Sequence, residues 1–349
     1  MGEPVRILVA GGSGVFGRHL ARELLAHTDA RLVLAGRDAV RLEATRQELG
    51  SIDRTEAAAL DLHDLEDLER AAKGCLAVAC TAGPFQVLPL GLPSAAVRAG
   101  AHWVDIADAP AWVLPLLHDA ALGREALDAG VAVMPGLSTV PAVSGVLARW
   151  CRERLAGARH GRVTLFIGNR NQKGTGATAS ALIGGFADPA PVDLPIGRRL
   201  AYHFATPDAE LFREDLGLDA EFRVALEWAW LGRSSAALGR LARMLGPRRT
   251  TAFAGSLSRV SRPFARFGTE RGIVQVELWN GDARRVTASA VAGQRLVILP
   301  CALALESLLR GDLTASGVIH PAEWRPHDQL IADLQRRGVA ILTRGASLS

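Results

Sequence analysis

Four cysteines and one tyrosine stand among 349 residues, and all but two of the 40 basic residues are arginine. Each shortage excludes something. Cys75, Cys80, Cys151 and Cys301 form no C-x-x-C pair and no ladder of spacings, which excludes a disulfide framework or a zinc ribbon, leaves no metal expected, and fits a reducing compartment. The one tyrosine, Tyr202, has Thr206 four residues on, so the Tyr–Lys proton-donating pair of short-chain dehydrogenases is absent. An excess of one charge is lacking too. Lys+Arg of 40 against Asp+Glu of 36 leaves +4, too little to make nucleic acid a partner. Long apolar runs are missing: Gly74–Val97 and Ala129–Ala148 carry no charge, but Pro84, Pro89, Pro93, Pro135, Gly136 and Pro141 interrupt them. Neither is the continuous stretch of about 20 residues that a membrane helix needs. The opening Met-Gly-Glu-Pro runs straight into a strand-like segment, which is not a signal peptide. A soluble cytoplasmic protein is the expectation.

What is present is globular: 49% apolar and 22% charged residues, far from disorder. The length suits two or three domains of about 100–200 residues. Short apolar runs at Val5–Ala10, Arg31–Ala35, Ala57–Leu60, Leu76–Thr81, Trp103–Ile106 and Val131–Met134 alternate with helical patterns. Those helices are expected at Gly17–Ala26, Ala39–Leu49, His63–Ala72, Leu92–Ala99 and Ala111–Ala129. Uniformly apolar strands between helices predict an α/β, doubly wound Rossmann-type parallel sheet covered on both faces. After about residue 140 the pattern changes. Strands are expected at Arg162–Ile167, Ile273–Trp279 and Arg284–Ala290, and helices at Thr175–Ala187 and Ala220–Trp230. Gln294–Leu309 ends a strand and opens a helix; Asp328–Arg337 and Val339–Leu342 close the chain as helix and strand. The expected organisation is a Rossmann domain over 1–140 and an α+β domain over 141–300. A closing segment, 301–349, is expected to pack back on the first domain.

The first strand runs into Gly11-Gly12-Ser13-Gly14-Val15-Phe16-Gly17 and then a helix. Gly12, Gly14 and Gly17 satisfy G-x-G-x-x-G in strand–turn–helix context. One glycine permits the turn, the next lets backbone approach a pyrophosphate, and the third allows close helix–strand packing. The helix N-terminus offers free N–H groups to the phosphates. At the end of the second strand, Arg37 stands where an NAD-selective site carries a carboxylate. A guanidinium there meets the 2′-phosphate of NADP, and Asp38 is expected to cap the next helix. Asp61 and Leu62, ending the third strand, either flank an adenine or, for Asp61, cap the His63–Ala72 helix. The fourth strand ends Cys80-Thr81-Ala82-Gly83-Pro84-Phe85. In an open α/β sheet that carboxyl end faces the ligand crevice, so Thr81 to Pro84 are expected beside the second ribose and nicotinamide, and Cys80 is read as packed rather than nucleophilic.

Val9-Ala-Gly-Gly-Ser-Gly-Val-Phe-Gly17, Thr81-Ala-Gly-Pro-Phe85, Gly100-Ala-His-Trp-Val-Asp105-Ile-Ala-Asp108 and Pro135-Gly-Leu-Ser-Thr-Val-Pro141 together resemble the saccharopine dehydrogenase-like family of NADP-binding oxidoreductases. Gly317-Val-Ile-His-Pro321 and Leu330–Val339 look like that family's closing segment; residues 150–300 match nothing nameable. The resemblance implies a Rossmann domain with an α/β substrate domain, NADP(H), a homodimer, and hydride transfer to or from an imine or secondary amine. Relatives of similar sequence are thought to reduce C=C bonds in lipids.

Imine reduction asks the protein for position and a proton. Asp105 ends the fifth strand and is the candidate to stabilise an iminium cation or hold an amine; capping is the bland alternative. Asp108 follows three residues on, and His102 is expected at the surface. Ser138 lies in the turn after the sixth strand, as a substrate contact or as a cap for the next helix. In the second domain, Asn169 and Lys173 precede a helix start at Gly174-Thr-Gly-Ala177 that can receive a carboxylate. Lys173 differs from the surrounding arginines in its compact charge and tunable pKa. Substrate is expected at the carboxyl ends of strands four to six, touching Phe85, Asp108, Ser138 and Asn169. From Trp228 to Thr269 there is no acid, and Arg233, Arg240, Arg243, Arg248, Arg249, Arg259, Arg262 and Arg266 line up with apolar residues. This basic stretch reads as a lid or dimer element; contact of 233–271 with an anionic membrane surface is the lesser reading. The leading functional expectation is an NADP(H)-dependent oxidoreductase acting on C=N in a small metabolite. C=C reduction of a lipid or natural product comes second, and a non-catalytic NADP sensor third.

Overall fold

Ile7, Leu8, Val9 and Ala10 are all fully buried, which is why the first strand reads as one apolar run: its sheet is covered on both faces. The computed structural model describes residues 4–172, 175–184, 186–228, 233, 266–281 and 284–345. Two compact units divide the chain, Met1–Ser138 with Val297–Trp324, and Thr139–Leu296 with Arg325–Ser349.

In the first unit β1 (Arg6–Ala10), β2 (Arg31–Gly36), β3 (Thr55–Ala59), β4 (Cys75–Cys80), β5 (His102–Asp105), β6 (Ala132–Met134) and β13 (Gly317–Val318) form one sheet. Its order is β13-β6-β5-β4-β1-β2-β3, and every pairing is parallel. The order reverses between β1 and β4, the place where such sheets open a crevice at their carboxyl edge. Helix α1 (Val15–His27) follows β1 and buries Leu20, Ala21 and Leu24 completely. Each of those leucines contributes about 1.5–3 kcal/mol. Helices α2 (Ala39–Leu49), α3 (Leu65–Ala72) and α4 (Leu92–Arg98) complete the alternation.

Two expected boundaries shift because caps intervene. Asp64, rather than Asp61, accepts the Glu66 and Asp67 N–H groups, so α3 begins at Leu65. Asp119 accepts from Ala121 and Leu122 and splits the single helix expected over Ala111–Ala129 into α5 (Pro110–Leu117) and α6 (Ala120–Asp128).

The second unit is a mixed sheet ordered β14-β12-β11-β7-β10-β9-β8. Its strands are β7 (His160–Ile167), β8 (Ala187–Leu194), β9 (Gly197–His203), β10 (Asp219–Leu226), β11 (Gly272–Asn280), β12 (Arg284–Ala292) and β14 (Ala340–Arg344). Helices α7 (Ser144–Arg154), α8 (Thr175–Gly184) and α9 (Asp208–Leu216) connect them, and α7 packs on β11 and β12. Where a helix is expected over Ala220–Trp230, residues up to Leu226 form β10, parallel to β7, and Ala229 and Trp230 lie outside the described residues. Phe222 and Val224 alternate into the core while Glu221 and Arg223 pair on the other face. That period of two outweighs the helical leaning of its alanines. The hairpin β8–β9 packs Val192, Leu194 and Ala201 against Phe166, Ala225 and Ile273. β8 contains Pro189 and Pro191; it is an edge strand, where a missing N–H is tolerated.

The closing segment divides. Helix α10 (Leu299–Arg310) packs on α1, β4 and β5, and β13 extends the first sheet beside β6. Helix α11 (His327–Arg336) packs on α7, and β14 pairs with β12 in the second unit.

Candidate functional site

The turn between β1 and α1 is held tight by its glycines, and they do not all serve the same end. Gly11 has φ +81°, and a Cβ there would lie 2.7 Å from the Ala82 nitrogen. A Cβ on Gly17 would lie 2.3 Å from the Gly11 oxygen, and one on Gly12 3.0 Å from Leu34 Cβ. These three are demanded by packing. Gly14 has an ordinary φ of −74°, and a Cβ there would meet only the Gly11 oxygen, at 3.0 Å. Its bareness leaves one side of the turn open to close approach by a ligand. No side chain caps α1, so the first-turn N–H groups at Val15, Phe16 and Gly17 keep no intrahelical partner and face an anion with the positive end of the helix dipole. Ser13 contributes its carbonyl to Arg18 Nη1 at 3.0 Å. The cradle fits a pyrophosphate.

Beside it, β2 ends at Gly36 and Arg37 is exposed, with no partner for its guanidinium among the described residues. Asp38 Oδ1 accepts the Arg41 N–H at 3.0 Å as the α2 cap, so that carboxylate is already engaged. Asp61 is exposed and accepts the His63 N–H at 3.1 Å, while Leu62 is buried.

Across the order reversal, the Thr81 N–H and hydroxyl both donate to the Ala10 oxygen, at 2.8 and 2.9 Å. This fixes Thr81-Ala82-Gly83-Pro84 against the phosphate turn. Phe85 follows, nearly buried, its ring 5.4 Å from that of Trp112, which lies 6.4 Å from Trp103. Cys80 is fully buried, and burial pushes its thiol well above the usual range.

Asp105 does not present a carboxylate to a ligand. It is fully buried. Its Oδ2 accepts Trp103 Nε1 at 2.8 Å and Trp112 Nε1 at 2.9 Å. Its Oδ1 accepts the Ala107 N–H at 3.0 Å and the Gly136 N–H at 2.9 Å. Burial raises its pKa against the pull of those four donors. The residue chosen as an iminium stabiliser is thus the anchor of the crevice wall. The Leu137 N–H also donates to its backbone oxygen at 2.7 Å. Trp103 and Trp112 were missed; Trp103 stands two residues before Asp105 and so shares its side of the strand, a signal the sequence carried.

Asp108 is part-buried in the loop between β5 and α5, among buried Ile106, Ala107 and Ala109. Burial pushes its carboxyl up to about 6, and only its own N–H opposes this. Ser138 is buried and its N–H donates to the Gly136 oxygen at 2.8 Å. It caps nothing: α7 starts at Ser144 after Val143, without a side-chain cap. His102 is half-buried, not superficial; its Nδ1 accepts the Ala132 N–H at 2.9 Å, tying β5 to β6.

In the second unit Asn169 is a buried structural residue. Its N–H donates to Glu227 Oε2 at 3.1 Å and its Nδ2 to the Phe267 oxygen at 3.0 Å. Glu227 Oε2 also takes the Thr269 N–H and hydroxyl, both at 2.9 Å. Lys173 and Gly174 lie outside the described residues, as does most of the basic stretch 233–271. Among the described residues no helix is long and apolar enough to cross a membrane.

Residues 11–107 match a family described as NAD(P)H-binding. A Mycobacterium tuberculosis protein provisionally named a trans-acting enoyl reductase is 30% identical over 160 residues, in two strains. The match takes in 44% of this chain and 37% of the mycobacterial protein, so it spans little more than a third of that relative's length. Saccharopine dehydrogenase (L-Glu forming) from Saccharomyces cerevisiae superposes with a TM-score of 0.65 over 98% of this chain and 100% of the yeast chain, at 14% identity. At so low an identity the likeness shows the fold alone. The chain has the saccharopine dehydrogenase fold with an NAD(P)-binding Rossmann unit.

Proposed function

We propose that this chain is an NADP(H)-dependent reductase of a C=C bond conjugated to a carbonyl. The observation that carries the choice over C=N is the state of Asp105: with both oxygens occupied by two indoles and two backbone N–H groups, it has nothing left for an iminium. Behind it Phe85, Trp103 and Trp112 pack as a buried aromatic layer that brings no charge to the site. The name of the mycobacterial relative supports the same side.

In this reading Gly11, Gly12, Gly14 and the start of α1 hold the pyrophosphate. Arg37 takes the 2′-phosphate, which selects NADP(H) over NAD(H). Asp61 and Leu62 border the adenine, and Thr81 to Pro84 offer backbone to the second ribose and the nicotinamide amide. The bound dihydronicotinamide supplies the hydride. Phe85 and Trp112 keep water from the reacting carbon, and Asp105 holds Trp112 in place. Ser138, with no partner for its hydroxyl among the described residues, donates to the substrate carbonyl and steadies the charge that develops on it. Homodimerisation and the role of Lys173 stand as proposals from the family resemblance and the sequence respectively.

The test is NADPH consumption with two substrate sets: α,β-unsaturated acyl thioesters, and imines formed from an aldehyde and a primary amine. Oxidation with the thioesters and a product saturated at the former double bond is expected. Turnover of imines alone overturns the proposal in favour of C=N reduction. Tight NADPH binding with neither set reduced leaves the sensor reading.

A further inference from the structure

Reduction of a conjugated C=C bond needs a proton at the α-carbon as well as a hydride at the β-carbon, and the usual Tyr–Lys source is absent. The carboxyl edge of the first sheet holds two acidic side chains at β5, Asp105 as its last residue and Asp108 in the loop that follows. Asp105 is committed to four donors. Asp108 has no side-chain partner among the described residues. The loop that carries it lies directly beside the proposed nicotinamide turn: β4 and β5 pair with Cys80 opposite Asp105, the Ile106 N–H donates to the Cys80 oxygen at 3.3 Å, and Thr81 follows at once.

We propose that Asp108 is the proton donor of the reaction, a role that rests on the C=C reading above. The step balances within the groups named. Hydride adds to the β-carbon and the π pair moves onto the carbonyl as an enolate. The Asp108 O–H bond then breaks, its proton forms the new C–H bond at the α-carbon, and the electron pair stays on the carboxylate. Water reprotonates the carboxylate after release.

The surroundings suit the task. Ile106, Ala107 and Ala109 on either side are buried and apolar. Cys80 on β4 and Cys301 on α10 act electrostatically on Asp105 and on each other, and burial pushes both thiols well up. None of them contributes to the ionisation of Asp108, which burial alone drives to about 6. A donor whose pKa lies near the working pH is half-loaded there and still gives its proton readily. A part-buried carboxyl without a side-chain partner carries a desolvation cost, and its place beside the proposed cofactor turn fits a chemical role.

The experiment has two readouts on the full-length protein. The first is infrared difference spectroscopy of wild type minus Asp108→Asn across pH 4.5–8, with and without NADPH. A protonated-carboxyl band that titrates near 6 and is absent from the variant is expected. Its absence, with Asp108 ionised throughout, overturns the proposal. The second is turnover of an unsaturated thioester. Asp108→Asn, with NADPH affinity within about twofold of wild type as the check on folding, is expected to lose about 10²–10⁴-fold. Wild type is expected to show a rate limb near 6 that falls as pH rises. Wild-type turnover in the variant, or a flat wild-type profile through that range, also overturns it. If wild type reduces no thioester, the C=C reading fails by itself and the infrared band alone decides the ionisation of Asp108.

Discussion

Replacing Asp105 by asparagine tests the wall of the crevice most directly, because the variant keeps the shape and removes one acceptor oxygen. Four donors converge on the carboxylate at 2.8–3.0 Å. An amide serves one pair, either the two indoles or the two backbone N–H groups, and points its own hydrogens at the other. Each buried donor left unsatisfied costs about 1–3 kcal/mol, so the abandoned pair costs about 2–6 kcal/mol. The surviving pair also weakens, since its acceptor is no longer charged. Against this, a buried charge is removed, and burial does push the Asp105 carboxyl upward. We therefore expect a net loss of about 2–4 kcal/mol, a large part of the roughly 5–15 kcal/mol that stabilises a domain. At about 2–4 °C per kcal/mol for a unit of this size, the melting point falls by about 4–16 °C. Scanning calorimetry reads the fall, and near-ultraviolet circular dichroism reads whether the tryptophans lose their fixed environment. A variant that melts within about one degree of wild type with native tryptophan signals, yet loses turnover, refutes the anchor and restores Asp105 as a group that meets substrate.

The glycines of the phosphate turn should separate by role: Gly14→Ala folds but loses at least about tenfold in NADPH affinity, whereas Gly17→Ala, with a Cβ 2.3 Å from the Gly11 oxygen, melts well below wild type. Calorimetry and cofactor titration distinguish them, and a stable Gly17→Ala that binds normally refutes the packing account. Arg37→Ala should lose about 1.5–3 kcal/mol of NADPH binding, the scale of a charge-assisted bond, with NADH binding unchanged; equal wild-type affinity for the two cofactors sinks the 2′-phosphate assignment. His102 accepts the Ala132 N–H through Nδ1 and burial lowers its pKa. The unfolded state therefore binds more protons below about 6.5. The stability held above that pH is lost as pH falls toward the native value. His102→Asn keeps an acceptor and should flatten that part of the denaturation profile; an unchanged slope counts against it.

The first unit was legible because its signals are redundant. Its strands are apolar throughout, its first turn needs glycine at Gly11 and Gly17 for steric reasons that no other residue satisfies, and its helices carry side-chain caps such as Asp38 and Asp64. The second unit has fewer such constraints. β10 alternates Glu221, Phe222, Arg223 and Val224 within an alanine-containing stretch, and that short period of two prevails over helical propensity because β7 and β9 pair on either side of it, which the sequence does not display. The prolines of β8 are tolerated only because the strand is an edge, and edge position is a property of the assembled sheet.

The same asymmetry explains why the glycine turn was legible in the sequence and the role of Asp105 was not. A phosphate cradle is made of backbone and absences of side chain, both of which spacing in the chain encodes. A buried carboxylate is defined by its donors, and those of Asp105 come from four points: its own strand, the next loop, α5 and the turn after β6. Only pairing of the strands brings them together. Once they are together the consequence is mechanical. The Ile106 N–H is held by the Cys80 oxygen and the Leu137 N–H by the Asp105 oxygen, so the carboxyl ends of β4, β5 and β6 are fastened to one another through Asp105 and its two neighbours. A carboxylate fixed in this way cannot also reorient toward a substrate or exchange protons with it at low cost, since either act leaves buried donors bare. If the proposed reduction takes place at this edge, its proton comes from a group that the wall does not hold, and in the stretch from β5 to α5 the acid that meets this condition is Asp108.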